Sequence, residues 1–397
     1  MELLERNVET VLPSKEALEK KLQKGKLRIK HGIDPTGPKI HIGRAVVLWK
    51  LREFQDAGHK IVLIFGDFTA RIGDPSDKDK RRPLLSEDQI KVNTAGYLDQ
   101  IGRILDTSKV EVHYNSEWHG AMSEADLITL ARLLTVNQML ARRNFSERVK
   151  EKKEIGIDEF LYPLLQGYDS VAVRADVELG GSDQLFNLQA GRIIQEAYGQ
   201  EPQCIMTTGM LWGLDSRKMS TSWGNVVNIT DEPNEMYGKL MSLNDELMPN
   251  YLRLTTRLSE QEIKEIEAIA HPKKRKEQLA YEVVKLYHGK GAATKAKEEF
   301  KKVFTQKELP IDIKEVFVEK GLYTVHDLLS RCALMLSNSK SEARRLILQG
   351  GVRVNDEVVT SPSQLIQITK PILLSKGKRN IVKIVPNYHE VQKRKKA

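Results

Sequence analysis

Apolar and polar residues alternate over positions 27–33 and then give way to Asp34-Pro35-Thr36-Gly37-Pro38, which predicts a strand stopped by a turn. Apolar residues next recur at helical spacing at Val47, Leu48, Leu51 and Phe54. Lys50, Arg52, Glu53 and Asp56 supply the polar face, and Gly58 is a C-terminal stop. Ile61-Val62-Leu63-Ile64-Phe65 is uniformly apolar, as a parallel strand covered on both faces should be. Strand, helix and strand in one short stretch predict a right-handed crossover. Ligands of such sheets bind beyond the carboxyl ends of the strands, here at residues 34–36 and 66–74.

A helical stretch over about 86–146 interrupts this pattern, with Leu127, Leu130, Leu133 and Leu134 expected to face a core or a partner chain. The α/β text resumes with a helix over 160–170, a strand near 171–179, Gly180-Gly181-Ser182 and a helix over 184–198 that Ser182 or Asp183 could cap. Beyond Asp231 the chain is charged and helical to about 306, and a Pro-containing stretch near 308–312 reads as a linker. The last module, about 323–386, carries two short helices, Gly350-Gly351 and strand-like Val352-Arg353-Val354-Asn355. The expected fold is α/β: a parallel-sheet domain over 1–230 with a helical insertion at about 86–146, an all-α domain over 231–310, a small α+β domain over 322–388 and a basic tail over 389–397.

At 397 residues more than one core is expected. The formal net charge of +9 gathers in His271-Pro272-Lys273-Lys274-Arg275-Lys276 and in Lys393-Arg394-Lys395-Lys396, which suits either a polyanionic partner or a solvated basic face. Cys204 and Cys332, the only cysteines, lie far apart in sequence, so a disulfide framework and a cysteine-rich zinc site are not expected and a reducing, cytoplasmic setting is. The N-terminus lacks the pattern of a signal peptide, and the apolar run at 61–65 falls far short of the roughly 20 residues that cross a bilayer. No membrane association is therefore expected.

Two segments carry chemistry. His41-Ile42-Gly43-Arg44 sits where the first strand turns into a helix. Alone it recurs by chance, and His41 could be a hydrogen-bonded turn residue. In this position, however, Gly43 permits close backbone approach and the helix opens its unpaired N–H groups toward the ligand crevice. Lys218-Met219-Ser220-Thr221-Ser222 reads either as a solvated loop or as a cation and hydroxyls that hold phosphate oxygens. Together the two segments point to ATP.

The pair resembles the His-Ile-Gly-His and Lys-Met-Ser-Lys-Ser signatures of class I aminoacyl-tRNA synthetases. Gly32-Ile33-Asp34-Pro35-Thr36, Ile72-Gly73-Asp74-Pro75-Ser76, Gln166-Gly167-Tyr168-Asp169 and Gly180-Gly181-Ser182-Asp183-Gln184 fall in the order of the bacterial tyrosyl-tRNA synthetases, so the resemblance runs over nearly the whole chain and implies a Rossmann-like catalytic domain. Tyr162, Gln166 and Asp169, at i, i+4 and i+7 of one expected helix, share a face. The resemblance implies that Asp169 accepts the substrate phenol and that Tyr162, Gln166 and Asp74 surround its ammonium. It further assigns Thr36 and His41 to the triphosphate, Asp34 and Gln184 to substrate placement and Asp183 to the ribose. Gly43, Gly181 and Met219 are expected to line the nucleotide site, with Arg44 either binding a phosphate or the adenosine there or swinging outward as a helix surface residue. Lys218, Ser220, Thr221 and Ser222 belong to the loop that closes on pyrophosphate, and Lys78 and Arg82 reach the leaving group.

The implied reaction joins L-tyrosine and ATP to tyrosyl-adenylate and pyrophosphate, then transfers tyrosyl to the 3'-terminal adenosine of tRNA(Tyr). ATP enters as a substrate with Mg2+ carried on its phosphates rather than in a protein metal site. A homodimer is also implied. The alternatives are a tryptophanyl-tRNA synthetase and a catalytically weakened, synthetase-derived RNA-binding protein. Three positions depart from the pattern: Thr221 for the second loop lysine, Lys30 where many tyrosyl enzymes carry a phenol-contacting Tyr, and Arg44 for the second histidine, a permanently charged fork in place of an imidazole. Residues 339–355 resemble the small RNA-binding domain shared by a ribosomal protein and pseudouridine synthases, with Lys340, Arg344 and Arg345 on one helical region suited to phosphate contacts.

Overall fold

The computed structural model describes residues 2–75, 86–219, 223–305, 313–332, 340–377 and 380–387, and the chain divides into two units, Met1–Lys290 and Gly291–Ala397. The first is built on six strands: β1 (Val8–Leu12), β2 (Arg28–Ile33), β3 (Lys60–Phe65), β4 (Glu111–Tyr114), β5 (Val177–Gly181) and β6 (Cys204–Thr208). They lie in the order β1-β6-β5-β2-β3-β4. Neighbours from β6 to β4 are parallel, and β1 closes the edge antiparallel to β6. The sheet grows one way from β2 to β3 and β4 and the other way to β5 and β6. That reversal opens a crevice at the carboxyl ends of β2 and β5.

Helices α1 (Lys15–Lys24) and α2 (Ile42–Asp56) flank β2 in sequence. Lys50 departs from the expected polar face of α2: it is buried, and its ammonium donates to the Leu3 carbonyl and to Glu53, because the N-terminal segment covers that side of the helix. The insertion holds α3 (Glu87–Ala95), α4 (Tyr97–Ile101), α5 (Ser116–His119), α6 (Glu124–Ala131), α7 (Val136–Leu140) and α8 (Arg143–Lys150). Ser86, Ser123 and Thr135 start α3, α6 and α7 with capping boxes. The insertion is not wholly helical. Its Glu111–Tyr114 segment is β4, whose partner β3 supplies the hydrogen bonds that four residues of mixed polarity do not announce by themselves.

Helices α9 (Ile157–Ala172) and α10 (Leu185–Ala197) pack on this insertion. Leu130, Leu134, Phe145, Leu164, Leu165 and Ile194 share one core, with Leu127 and Leu133 half-buried against it. Each fully buried Leu, Ile or Phe there contributes roughly 1.5–3 kcal/mol. The strand expected near 171–179 begins only at Val177, since α9 runs to Ala172 and Arg174 turns the chain with a positive φ of 49°. Neither Ser182 nor Asp183 caps α10. A 3-10 turn over Ser182–Gln184 intervenes, Gln184 occupies the cap position without a capping bond from its side chain, and the Asp183 carboxylate turns to Lys218. Helices α11 (Pro233–Met241), α12 (Met248–Thr255), α13 (Glu260–Glu267) and α14 (Pro272–Thr305) follow, the last interrupted at Gly289 and belonging from Gly291 on to the second unit.

The second unit holds β7 (Lys314–Glu319), β8 (Gly321–Thr324), α15 (Val325–Arg331), α16 (Lys340–Leu348), β9 (Val352–Val354), β10 (Glu357–Val359), β11 (Leu365–Ile368), β12 (Ile372–Lys376) and β13 (Asn380–Asn387). A five-stranded sheet, β10-β9-β12-β13-β7, and the antiparallel pair β11-β8 enclose a core of Leu328, Leu329, Ile347, Val352, Leu374 and Ile384. Strand β7 precedes the module expected from sequence and pairs parallel with β13. The expected linker, 308–312, and the basic tail, 389–397, lie outside the described residues.

Candidate active site

Asp34 follows the last residue of β2 directly. Its Oδ2 accepts the Tyr162 hydroxyl at 2.8 Å and its Oδ1 the Thr69 hydroxyl at 2.9 Å. Gly66, at the end of β3, makes this possible: a Cβ there would lie 2.0 Å from Asp34 Oδ1 and 2.4 Å from Thr69 Oγ1. Burial, then the charges of Asp34 and Asp74, raise the Tyr162 phenol well above its ordinary pKa, so it stays an O–H donor.

The network continues inward. Thr69 Oγ1 accepts from Asn115 Nδ2 at 3.0 Å, and the same amide lies 3.4 Å from Asp169 Oδ2. The other carboxylate oxygen, Asp169 Oδ1, receives Trp118 Nε1 at 2.8 Å and His119 Nε2 at 2.9 Å. Asp169 is thus a buried acceptor on α9, approached from α5 and from the turn after β4.

Asp74 organises the opposite side. Gln184 donates to its Oδ2 at 2.6 Å, and Arg142 and Asn187 approach its Oδ1 at 3.3 and 3.5 Å. Asn187 also donates to Gln184 Oε1 and Gln166 Oε1. Gln166, Gln184 and Asp74 therefore meet through one buried amide, and the half-helical face of Tyr162, Gln166 and Asp169 lies along these partners.

Lys30 points elsewhere. It is fully buried, and its three N–H donors are matched by Glu178 Oε1 at 2.7 Å, Ser170 Oγ at 2.8 Å and the Gln166 carbonyl at 3.0 Å. A saturated ammonium has no donor left for a phenol. Lys30 and Glu178 face each other in register on β2 and β5 and tie α9 to the sheet.

His41 caps α2, its Nδ1 accepting the Arg44 N–H at 3.3 Å. Burial first, then the charges of Arg44 and Lys218, lower its pKa to about 3. The imidazole is neutral, and with Nδ1 accepting, Nε2 carries the proton and can donate to a phosphate oxygen. Gly43 packs between the two signature segments: a Cβ there would meet His41 Nδ1 and Met219 Sδ, each at 3.1 Å. Lys218 Nζ reaches Asp183 Oδ2 at 3.1 Å, beside Gly181 at the end of β5.

Arg44, whose direction the sequence leaves open, turns inward. Nη1 donates to Tyr97 Oη at 2.8 Å and approaches the Asp34 carbonyl at 3.4 Å, while Nη2 donates to Thr36 Oγ1 at 2.9 Å. Thr36, His41 and a fixed cation are thereby gathered at the N-terminus of α2.

Lys78, Arg82, Ser220, Thr221 and Ser222 lie outside the described residues, as does the side chain of Lys340. Arg344 and Arg345 are exposed on α16. Sequence reasoning passed over Thr69, Tyr97, Asn115, Trp118, His119, Arg142 and Asn187. The adjacent Trp118-His119 after a Tyr-Asn turn was the one local signal, while the others come into the site only through the tertiary fold.

The arrangement offers carboxylates and amides to an ammonium, a buried acceptor to a hydroxyl, and neutral and cationic donors to phosphate. The family description tRNA synthetases class I (W and Y) matches residues 22–305, and the S4 domain description matches residues 327–369. Over 392 residues the chain is 47% identical to the tyrosine–tRNA ligase of Thermotoga maritima, covering 97% of this chain and 96% of that one. It is 44% identical to the tyrosine–tRNA ligase of Moorella thermoacetica over 394 residues, with 97% and 95% covered. Among solved structures, the tyrosyl-tRNA synthetase of Archaeoglobus fulgidus complexed with L-tyrosine shares the fold at a TM-score of 0.60 and 24% identity, covering 75% of this chain and 98% of that one.

Proposed function

The chain belongs to the tRNA synthetases class I (W and Y) and acts as a tyrosine–tRNA ligase; from that premise we propose how its residues divide the work. Tyrosine, ATP and tRNA are the substrates. The amino acid enters with its phenol toward Asp169 and its ammonium toward Tyr162, Gln166 and Asp74, with Asp34 and Gln184 placing it. The observation that carries this assignment is the donor pattern on Asp169: a buried carboxylate with one oxygen occupied by two N–H groups and the other approached only at 3.4 Å. A substrate O–H completes it, whereas phenylalanine would leave the buried acceptor unpaired.

Tyrosine carboxylate attacks the α-phosphorus in line, the bond to pyrophosphate breaks, and tyrosyl-adenylate forms. Alignment and stabilisation of the growing phosphate charge are the protein's contributions. His41 Nε2–H, Thr36, Lys218 and the N–H groups that open α2 serve the phosphates; Lys78, Arg82, Ser220, Thr221 and Ser222 complete that set. Asp183 and Gly181 take the ribose side, and Arg44, Gly43 and Met219 shape the wall of the nucleotide site. Mg2+ travels on the nucleotide: Asp34, Asp74 and Asp183 are each engaged by protein donors, which suits a metal held by phosphate and water rather than by these carboxylates.

The proposal extends to organisation. Residues 1–230 carry activation, 231–310 the anticodon side and 322–388, with Lys340, Arg344 and Arg345, the folded RNA, followed by the basic tail over 389–397. A homodimer is supported by exposed Ile128, Val136 and Ile193 and by a groove of about 270 Å³ whose lining includes Leu134, Gln138, Phe186, Gln189, Ala190 and Ile193. A cytoplasmic setting is supported by two free, buried cysteines; no helix among the described residues is long and apolar enough to cross a membrane.

ATP–pyrophosphate exchange tests the site assignment. Asp169→Ala should lose tyrosine-dependent exchange far more than ATP binding, and equal loss of both would remove Asp169 from the phenol site.

A further inference from the structure

We infer that His119 is a specificity-determining positioning residue: with Trp118 it pins one oxygen of Asp169 and so presents the other to the substrate hydroxyl. The inference rests on the reading of Asp169 as the phenol acceptor and assigns a role to a histidine that the catalytic assignment does not use. His119 has no solvent exposure in its side chain, and its Nε2 lies 2.9 Å from Asp169 Oδ1. Trp118 Nε1 meets the same oxygen at 2.8 Å. A carboxylate only accepts, so Nε2 carries the hydrogen and donates. The remaining nitrogen, Nδ1, is buried and has no hydrogen-bond partner among the described residues.

A buried polar atom left without a partner carries a penalty, so the ring's place there must be favoured by what its other nitrogen does. An apolar side chain of similar size would fill the space among Phe68, Trp118 and Tyr168, whose rings lie 5.4–6.1 Å from the imidazole, and would leave no orphan atom. What it could not supply is the second N–H on Oδ1. With one donor the carboxylate can rotate and share either oxygen with Trp118. With two donors on Oδ1 that rotation is opposed, and Oδ2, whose contact to Asn115 is 3.4 Å, is left to accept the substrate hydroxyl. His119 does not touch the substrate; it acts through Asp169.

The test uses the full chain, tyrosine-dependent exchange and the tyrosine-over-phenylalanine preference. His119→Leu should raise the KM for tyrosine and lower that preference by about ten- to a hundredfold, the range expected for losing a hydrogen bond to a charged group, while the KM for ATP stays within about twofold. His119→Gln, whose Nε2 can reach the same point, should restore both tyrosine readouts to within about threefold. Unchanged tyrosine KM and preference in His119→Leu would overturn the inference. So would a parallel loss of tyrosine and ATP binding that Gln does not rescue, since that describes a residue needed only for folding. Asp169→Ala, measured alongside, separates the two readings: if it keeps the preference, the phenol assignment itself fails, and if it loses the preference while His119→Leu does not, only the role of His119 fails.

Discussion

Replacing Lys30 by Met tests whether the buried ion pair is what binds α9 to the sheet. Lys30 and Glu178 are 0% and 1% exposed in their side chains and 2.7 Å apart. The substitution removes the bonds to Glu178, Ser170 and the Gln166 carbonyl together. Glu178 keeps Ser170 and Gln203 as donors but loses its only cation among these contacts. Removing one member of a buried pair costs about 3–5 kcal/mol, because the surviving charge is uncompensated. With a urea slope near 3 kcal/mol per molar, reasonable for a long chain, the midpoint should fall by about 1–1.7 M. All four tryptophans, Trp49, Trp118, Trp212 and Trp223, lie in the first unit, so their fluorescence follows that unit alone. Adding Glu178→Gln removes the stranded charge while leaving an acceptor for Ser170, and should recover at least half of the loss. If the double variant is no more stable than Lys30→Met, charge burial is not the cause. If the single variant shifts the midpoint by less than about 0.3 M, the pair contributes little and something else binds α9 to the sheet.

Arg44→Met should weaken ATP more than tyrosine, raising the KM for ATP by about tenfold or more, since Thr36 and Tyr97 lose a charged donor; Arg44→His should fall between Met and the native residue, and equal KM values for all three would remove Arg44 from the nucleotide site. His113 supplies a pH dependence. Burial opposes its charge, but hydrogen bonds to Glu111 and Glu117 and their charges outweigh it and raise its pKa. Its stabilisation is therefore full below the unfolded value of about 6.5 and fades as pH rises through the folded value. The urea midpoint of His113→Gln should change less between pH 6 and 9 than that of the native chain, and an identical profile would contradict the pairing. Ile128→Glu with Ile193→Glu should shift the molecule toward monomer in sedimentation, and an unchanged mass would place the interface elsewhere.

The crossover from β2 through α2 to β3 was legible because three independent signals agree there: alternation, helical spacing with a stop, and a wholly apolar strand. The site face on α9 was legible for a related reason, since Tyr162, Gln166 and Asp169 repeat at helical spacing on one element. Strand β4 was not, because Glu111 and His113 carry polar groups whose ion pairs with Arg28 and Glu117 form only after folding. Strand β1 was hidden similarly: an antiparallel edge of half-buried residues takes its identity from β6. Lys50 reads as a surface lysine until the Leu3 carbonyl arrives to meet it. Partners of Asp169 were missed for the same physical reason. Trp118 and His119 lie about fifty positions away in the chain, and only the parallel register of β3 and β4 brings them beneath α9.

The contact of Gly43 with both His41 and Met219 bears on how such a chain can drift over generations. A methyl group at position 43 would press on two neighbours of unequal freedom: Met219 is a flexible thioether that can swing aside, while His41 is fixed by its bond to the first turn of α2. Mutational traffic between the two signatures should therefore run one way. Position 219 can accept other supple side chains one at a time, but a change at 43 presses on the histidine that caps α2, so the glycine is the less replaceable of the two.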